Sequence, residues 1–556
     1  MFSSLFGSSS QFGAMFQALA LELDMDDVGE SQPQPSLDER IRRSFQNVAP
    51  HMLLPDRLSG PKTAAQSVCW APDAWTSLEL QGVKFFETDL AAIAHEQLCK
   101  GLLFSSDYSG IGCPEEALDQ ILTAACEKGA VPDGSLFANL RAGDVSQCCR
   151  EVLHAHSGPF SPQCIHDDIL HRIRPSLHGR FMKMREACWE KVNRKVEEGW
   201  PKAEMIKTEG KAFVTRAYEL LKVHGPQSLD GLAAYCHAHQ CQCPLWQKRR
   251  ESFNGWQIHV AGVCCQDWST MGGKHKWLGK GVFPFLQWCR ERELGDEDVI
   301  IVECVPSFDD ETLQELLQEK FHMHVLRFST TLFGEPVERH RAYMILISKR
   351  LRWSQKIQQV GLQKAFERIF ANTSELLGSW KFRAPPDLLN EHFGQQCHRR
   401  KMPPNTRSGL KWSAYQLASM ATRENIQKHL VAVVRSTGTP KDMHEWITNL
   451  AQNPDYMAPV RFRVPALLRS SKLWLFGHRR APLPLELLEL QGFNIFGGEN
   501  YGPTKYQCKF VPKFQDMASS VIQSMAGNGI HLRAIGSVLL FCLSCVEAAR
   551  EPETRA

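Results

Sequence analysis

Between residues 98 and 350, short apolar runs alternate with amphipathic segments, and no other property of this chain restricts its fold so strongly. Four runs predict strands: Leu102-Leu103-Phe104, Ile258-His259-Val260, Val299-Ile300-Ile301-Val302 and Tyr343-Met344-Ile345-Leu346-Ile347. The segment Glu311–Phe321 repeats its leucines at helical spacing and therefore predicts a helix. Strands that alternate with helices are typical of an α/β fold with helices on both faces of the sheet.

Composition excludes several classes of protein. The 556 residues are 43% hydrophobic and 22% charged, which is enough apolar material for a large core. The 64 Lys and Arg nearly balance the 61 Asp and Glu, so no overall positive field indicates a nucleic-acid partner. The 19 cysteines are too sparse for a disulfide scaffold. Neither a secretory signal nor an apolar run of about 20 residues is evident, so we expect an intracellular protein that spans no membrane.

Changes in pattern along the chain predict its organisation. We expect a disordered tail at 1–40, an extension at 41–97, an α/β domain at 98–350 with a helical insertion at 170–256, a differently patterned region at 351–480, and a C-terminal segment at 481–548. The stretch 349–412 holds 13 Lys and Arg but only four Asp and Glu. This concentration of charge suits an anionic partner, and an ordinary solvated surface is the alternative.

A glycine turn follows the first predicted strand, in the run Asp107-Tyr108-Ser109-Gly110-Ile111-Gly112. Its glycines allow a ligand to approach the backbone at the carboxyl end of the strand, where open α/β sheets bind ligands. Glu115 and Glu116 begin the next helix and would repel a pyrophosphate, which favours a cationic or zwitterionic nucleoside. A purely structural turn is the alternative.

Two acids follow the next strands. Asp144 is placed to bind ribose hydroxyls, and Asp168 is placed near an adenine edge. Either acid alone is more often a helix cap than a ligand.

Reactive side chains are expected at the ends of the later strands. In Val263-Cys264-Cys265-Gln266, a cysteine follows a strand directly, a position that suits a nucleophile, although a buried thiol pair is the alternative. Glu303 lies behind four apolar residues, where a carboxylate is costly unless it serves a ligand or a partner. Arg339 and Arg341 share one face of a strand and could hold Glu303 or a phosphate.

In this order, these runs resemble the motifs of the C5-cytosine DNA methyltransferases. The glycine turn is similar to the family's cofactor motif, with Tyr108 where Phe is usual. Cys264-Cys265-Gln266 is similar to its Pro-Cys-Gln nucleophile motif, Glu303-Cys304-Val305 to its Glu-Asn-Val motif, and Val337–Arg341 to its Gln-x-Arg-x-Arg motif. Gly527-Asn528-Gly529 resembles its last motif, which returns to the cofactor. Motifs in the right order and setting make a stronger signal than any one of them.

The resemblance implies an S-adenosylmethionine-dependent methyltransferase with a Rossmann-like sheet and a target-recognition region at 351–480. The implied catalytic residues are Cys265, Glu303, Arg339 and Arg341. The implied cofactor-binding residues are Asp107, Tyr108, Ser109, Gly110, Ile111, Gly112, Asp144, Asp168, Asn528 and Gly529. The implied substrate is duplex DNA with its target cytosine flipped out, which suggests a nuclear location.

Two other functions stay open at this point. One is the same chemistry on structured RNA such as tRNA. The other is an inactive cofactor- and DNA-binding regulator, because Cys264, Cys304 and Val337 replace the family's Pro, Asn and Gln.

The insertion contains a short run of possible metal ligands. Cys236, His239, Cys241 and Cys243 together offer the ligand types of a structural zinc site. Their spacing is more crowded than the usual pairs of ligands, so the pattern favours loop residues and no metal.

Overall fold

The computed structural model describes residues 60–129, 136–247, 249, 252–269, 272–372, 378–402, 414–437, 446–455, 460–461, 463–498 and 503–549. The tail predicted at 1–40, and the predicted extension as far as residue 59, lie outside these ranges. The chain divides into two compact units. The larger unit comprises Arg57–Pro385 and Lys441–Ala556, and the smaller comprises Met1–Asp56 and Pro386–Pro440.

A nine-stranded sheet forms the centre of the larger unit, in the order β5-β4-β3-β2-β1-β6-β7-β9-β8. Its strands are β1 (Leu102–Asp107), β2 (Phe137–Gly143), β3 (Pro162–His166), β4 (Ala233–Cys236), β5 (Cys241–Pro244), β6 (Trp256–Gly262), β7 (Val299–Cys304), β8 (Phe321–Ser329) and β9 (His340–Ser348). The four strands expected from the sequence are β1, β6, β7 and β9.

The middle five strands are parallel, and the strand order reverses at β1, which lies between β2 and β6. The long strand β9 runs antiparallel to both β7 and β8. In open α/β sheets a ligand crevice forms at such a reversal, beyond the carboxyl ends of the strands. The expected α/β fold class is confirmed, and the topology places its crevice beyond β1 and β6.

Helices cover both faces of the sheet because the strands are apolar on both sides. Alternate residues enter two separate cores, with Val299 and Ile301 in one and Ile300 and Val302 in the other. The helices of the larger unit are α1 (Ala64–Val68), α2 (Trp70–Phe86), α3 (Leu90–Cys99), α4 (Cys113–Lys128), α5 (Gln147–Ala155), α6 (Pro175–Glu197), α7 (Lys202–His224), α8 (Val282–Leu294), α9 (Asp310–Leu317), α10 (Gln355–Val360) and α11 (Leu362–Phe370), with three more near the C-terminus.

The predicted helix at Glu311–Phe321 corresponds to α9, which ends at Leu317 because Phe321 already begins β8. The insertion expected to be helical contains the long helices α6 and α7, and also the hairpin β4–β5. That hairpin extends the main sheet through the pairing of His166 with Cys236.

Residues 351–385 belong to the larger unit. Strand β10 (Leu351–Trp353) pairs with the C-terminal strand β14 (Val546–Ala548), and α11 packs its apolar face into the first core. A three-stranded antiparallel sheet, β12-β11-β13, lies further along the chain. Its strands are β11 (Trp446–Asn449), β12 (Val460–Arg461) and β13 (Leu473–Leu475). The boundaries expected for the target-recognition region therefore do not coincide with those of the compact units.

The smaller unit contributes two described helices, α12 (Pro386–Arg399) and α13 (Met420–Thr437). Phe393, Cys397 and Leu417 form its small apolar cluster.

The last three helices of the larger unit are α14 (Pro484–Glu489), α15 (Ser519–Asn528) and α16 (Leu532–Cys545). The stretch Ser519–Cys545 is apolar and long enough to cross a membrane, but 94% of its most apolar 18-residue window is buried inside the protein. All residues of α16 are buried, so we assign this stretch to the core.

Candidate active site

The glycine turn lies at the carboxyl end of β1, beside the reversal of strand order. Gly110 and Gly112 both have positive φ angles, of 57° and 83°. No atom lies within 4 Å of the position where Gly110 would carry a Cβ, whereas His156 fills that position at Gly112. Gly110 therefore faces open space and Gly112 packs against the protein, so a ligand would approach the turn at Gly110.

The other residues of the turn hold it in place. Ser109 exchanges backbone and side-chain hydrogen bonds with Gly143 at the end of β2. Ile111 is buried in the first core. Tyr108 adopts a positive φ of 53°, and its buried hydroxyl has no hydrogen-bond partner. A phenol without a partner is an available donor at this end of the sheet.

Asp144 connects the turn to the next helix. One carboxylate oxygen accepts the Gly110 N–H at 2.9 Å, and the other accepts the Ser146 N–H at 2.8 Å. Burial raises the pKa of Asp144. Each carboxylate oxygen can accept more than one hydrogen bond, so the side chain can also bind a hydroxyl pair. Asp168 accepts the Leu170 N–H at 2.9 Å and caps a short 3-10 helix, the alternative that the sequence left open.

Asp107 is buried within a cluster of charges under the turn. Arg141 donates to its two oxygens at 2.7 and 2.9 Å, and Arg172 donates to one of them at 3.2 Å. Burial alone would raise the pKa of Asp107, but these arginines hold it well below its ordinary value. Arg172 also bonds Glu291 at 2.9 Å. Sequence reasoning missed these partners, although an arginine within the apolar strand β2 was a signal that a buried acid would lie nearby.

Glu115, in the first turn of α4, is buried and bonded to Ser106 of β1. Burial raises its pKa to about 7. Glu116 is also buried and accepts a hydrogen bond from Gln120 at 2.9 Å. Both side chains point into the protein. A pyrophosphate bound at the turn would therefore not contact these carboxyl groups directly, and any repulsion would act through the protein.

The two adjacent cysteines follow β6 and differ in environment. Cys264 is exposed and lines a small cavity with Tyr108, Trp268 and Trp277. Cys265 is partly buried and packs against the second core. Burial and then Glu303 raise the pKa of the Cys265 thiol, while Arg341 and Arg339 act in the opposite direction. Glu303, Arg339 and Arg341 therefore act on the Cys265 thiol, whereas Cys264 is exposed at the small cavity.

Glu303, Arg339 and Arg341 meet at the ends of β7 and β9. Arg341 Nε lies 2.9 Å from Glu303 Oε1, and Arg339 Nη2 lies 3.8 Å from the same oxygen. Glu303 and Arg339 are almost fully buried. Burial lowers the pKa of Arg339 to about 10, and two of its guanidinium nitrogens have no hydrogen-bond partner. Buried donors without partners indicate a place for a polar ligand.

The C-terminal segment contacts the charged residues at the ends of β7 and β9. Arg339 Nη2 donates to the Gly529 carbonyl at 2.6 Å. Ile530 lies against Gly262, which also approaches the Tyr108 carbonyl. Asn528, the last residue of α15, is exposed beside this contact. Gly529 and Ile530 therefore bring the C-terminal segment to Arg339, just before β9, and to the end of β6.

The insertion supports the loop after Cys265. Arg185 and Trp189 of α6 both donate to the Leu278 carbonyl, at 2.7 and 3.3 Å. The Cys265 carbonyl accepts the Trp268 and Ser269 N–H groups, which form a tight turn. Sequence reasoning missed Arg185, because nothing in a charged helix face indicates which residue contacts a distant loop.

Comparisons with known proteins leave the family unassigned. No protein-family model and no curated protein matches the chain. Similar solved structures include the methyltransferase EhMeth of Entamoeba histolytica, at 11% identity and a TM-score of 0.38, covering 79% of this chain and 98% of that one. Another is the S. pombe Dnmt2 methyltransferase, at 12% identity and a TM-score of 0.34, covering 80% and 98%.

A third is a putative DNA modification methyltransferase encoded within an E. coli prophage, at 11% identity and a TM-score of 0.33, covering 77% and 98%. Likenesses with such low scores carry no argument about activity. The function must be argued from the residues.

Proposed function

We propose that this protein is an S-adenosylmethionine-dependent methyltransferase that acts on C5 of cytosine in DNA. The observation that carries the proposal is the convergence of Cys265 with Glu303, Arg339 and Arg341 beside the glycine turn. A thiol and a carboxylate after the carboxyl ends of β6 and β7, with two guanidinium groups at the start of the antiparallel strand β9, match the order of motifs in the family that the sequence resembles.

The residues near the turn fit the cofactor. Gly110 faces open space, and the Asp144 oxygens keep acceptor capacity for ribose hydroxyls. Asp168, Asn528 and Gly529 complete the proposed cofactor site. Both Asp107 oxygens are already bonded to arginines, so this residue would act by holding the turn in position. When bound, S-adenosylmethionine supplies an electrophilic methyl group.

Each catalytic side chain has a defined chemical role in this proposal. C5 of cytosine is a weak nucleophile, so the Cys265 thiolate adds to C6 and places electron density on C5. Glu303 holds N3 and the exocyclic amine and balances charge as the ring loses aromaticity. Arg339 and Arg341 orient Glu303 and the target nucleotide. After methylation, C5 loses its proton to solvent, the C6–Sγ bond breaks as the C5–C6 double bond re-forms, and Cys265 leaves as the thiolate.

The target base must leave the helix before this chemistry can occur. C5 and C6 are stacked inside duplex DNA, so the cytosine is flipped out at a cost of a few kcal/mol. Contacts to phosphates would offset that cost. A DNA substrate favours a nuclear location. The basic run His398-Arg399-Arg400-Lys401 also favours it, because short basic runs are typical of nuclear localisation signals.

Transfer of labelled methyl groups to DNA and to tRNA, measured side by side, tests the proposal. We expect labelling of cytosine in DNA. Labelling of tRNA alone would show that the substrate is structured RNA and not DNA. No transfer to either, with cofactor binding intact, would favour an inactive regulator.

The adjacent cysteines provide a matched pair of variants. Cys265→Ser should abolish turnover, because a hydroxyl is far less ionised than a thiol at neutral pH. Cys264→Ala should keep most of the activity, since that side chain lies outside the charged cluster. DNA containing 5-fluorocytosine should trap an adduct that peptide mapping finds on Cys265. An adduct on Cys264, or an active Cys265→Ser variant, would contradict the assignment.

A further inference from the structure

The insertion brings four potential metal ligands together at the edge of the main sheet. They are Cys164 of β3, Cys236 of β4, His239 in the hairpin turn and Cys243 of β5. Their ligand atoms all lie within 4.8 Å of one another. The set differs from the ligands considered in the sequence, because Cys164 takes the place of Cys241. Cys164 is 72 positions before Cys236, so spacing could not reveal it.

Distances within the cluster match a tetrahedral metal site. His239 Nδ1 lies 3.4 Å from both Cys236 Sγ and Cys243 Sγ, and 3.6 Å from Cys164 Sγ. Bonds of about 2.3 Å to sulfur and about 2.0 Å to nitrogen, at tetrahedral angles, place sulfur and nitrogen about 3.6 Å apart. His239 Nδ1 is therefore nearly equidistant from the three sulfurs. Its distances to them are close to the nitrogen–sulfur separation expected when both atoms bind one zinc ion.

The described strands of the hairpin bury little apolar surface. Cys236 is the single buried residue of β4, and Cys243 is the single buried residue of β5. Among the described residues, these two pack with Cys164 and the partly buried Ala238 in a cluster of their own. An apolar group this small stabilises a hairpin only weakly, because stability scales with the apolar area buried.

The surroundings of the cluster also suit metal-bound thiolates. The Ile165 N–H points at Cys236 Sγ over 3.4 Å, which is the backbone support commonly given to a ligating group. His239 is exposed while the three thiols are buried, so the ring closes the cluster on its solvent side. Three sulfurs and one imidazole form a closed, soft ligand set that selects zinc over hard cations.

We propose that Cys164, Cys236, His239 and Cys243 bind one structural zinc ion that fixes the β4–β5 hairpin to β3. With four protein ligands the site has no open position for a substrate, so its role is structural. The proposal is independent of the methyltransferase activity, because none of its ligands belongs to the proposed active site.

Metal analysis of the full-length protein, purified without chelators, tests the site. We expect one zinc ion per chain, and its loss in Cys164→Ser and Cys243→Ser. Cys241→Ser is the matched control, because Cys241 belongs to the same hairpin and is exposed, and its Sγ, 3.9 Å from Cys243 Sγ, is not one of the four clustered ligand atoms. That variant should keep its zinc. Equal loss in Cys241→Ser, or wild-type protein that takes up no zinc when it is supplied, would overturn the proposal.

A second measurement does not depend on the folding of the variants. Wild-type protein exchanged with cobalt should show the absorption of a tetrahedral cobalt site together with thiolate-to-cobalt charge transfer. An octahedral spectrum without thiolate bands would contradict the ligand set. A disulfide among Cys164, Cys236 and Cys243, found by peptide mapping under non-reducing conditions, would also overturn it.

Discussion

The Cys265 thiol is subject to two opposing influences, and their balance predicts how activity depends on pH. Burial and Glu303 raise its pKa above the ordinary value of 9.0, while Arg341 and Arg339 oppose the rise. The reactive thiolate is then a minor species at neutral pH. We expect the rate of adduct formation with 5-fluorocytosine DNA to rise with pH from about 7 to about 9. Arg341→Gln should move this rise to higher pH, and a flat profile would contradict the prediction.

Glu115 predicts a different pH effect, on stability. Its pKa is about 7 in the folded protein, above its ordinary value of 4.5. Between these values the folded state holds a proton that the unfolded state has released, so this group's contribution to stability falls as pH rises. Glu115→Gln should therefore raise the free energy of unfolding at about pH 8, by up to about 3 kcal/mol, and change it little at about pH 4.5.

Denaturant unfolding of both proteins at the two pH values measures this difference. Glu190→Gln, at an exposed position of α6, is the control and should have no effect at either pH. Equal effects of Glu115→Gln at both values would show that the carboxyl is not protonated in the folded protein.

Sequence reasoning found the residues at the strand ends but not the groups beneath them. Motifs that resemble a known family in their order selected Cys265, Glu303 and Arg339. Parallel strands bring the first two to one edge of the sheet, and Arg339 reaches that edge at the start of the antiparallel strand β9. The partners of Asp107 were not predictable. Arg172 lies 65 positions away, and its contact depends on how the insertion leaves the sheet.

At the scale of elements, prediction succeeded where apolar residues are periodic and failed where few are buried. The long apolar strands β7 and β9 were evident from their sequences. The hairpin β4–β5 was not, because each of its strands buries a single cysteine and shows no alternation. The end of α9 was missed by four residues, since Phe321 fits both a helix face and the first position of β8.

The contact between α6 and the loop after Cys265 predicts an effect on turnover. Arg185 donates to the Leu278 carbonyl at 2.7 Å, and no proposed cofactor-binding residue is involved. Losing a charged hydrogen bond that holds the loop should lower kcat on the order of tenfold. We expect Arg185→Met to show this loss with unchanged cofactor affinity, measured by turnover and calorimetry.

Arg180→Met provides the matched control, at an exposed position of the same helix. It should retain wild-type turnover. A loss of cofactor affinity in Arg185→Met would indicate a general loss of structure and would contradict a role confined to the loop.

At the scale of the whole molecule, four of the cations in the stretch 349–412 are paired with acids elsewhere in the larger unit. Arg350 pairs with Asp296 and Asp298, and Arg352 pairs with Glu547. Lys381 is fully buried against Glu335, and Arg383 bonds Glu489. A local count of charges could not show this, because the acids that pair with these cations lie far from them in the sequence. We therefore assign the expected phosphate contacts to the exposed cations of the smaller unit.

The exposed run Arg399-Arg400-Lys401 lies at the C-terminal end of α12. Deleting 386–440 and joining the ends with a flexible linker should weaken DNA binding while cofactor binding persists, because the proposed cofactor site lies in the larger unit. Deleting all of 351–480 should instead unfold the protein, since it removes Arg383 from the buried Glu489 and Arg480 from the buried Glu486. Filter binding with DNA and calorimetry with the cofactor measure the two activities separately.

Salt dependence provides the quantitative test of these contacts. DNA affinity of the intact protein should fall steeply with salt, because each neutralised phosphate releases counterions. Replacing Arg399, Arg400 and Lys401 with glutamine should reduce the log–log slope by about one for each phosphate that is no longer neutralised. Lys349→Gln and Lys364→Gln, at positions of the stretch in the larger unit, should leave the slope unchanged. If the slope is unchanged by the triple replacement but is reduced in Lys349→Gln and Lys364→Gln, the phosphate-binding cations lie on the larger unit.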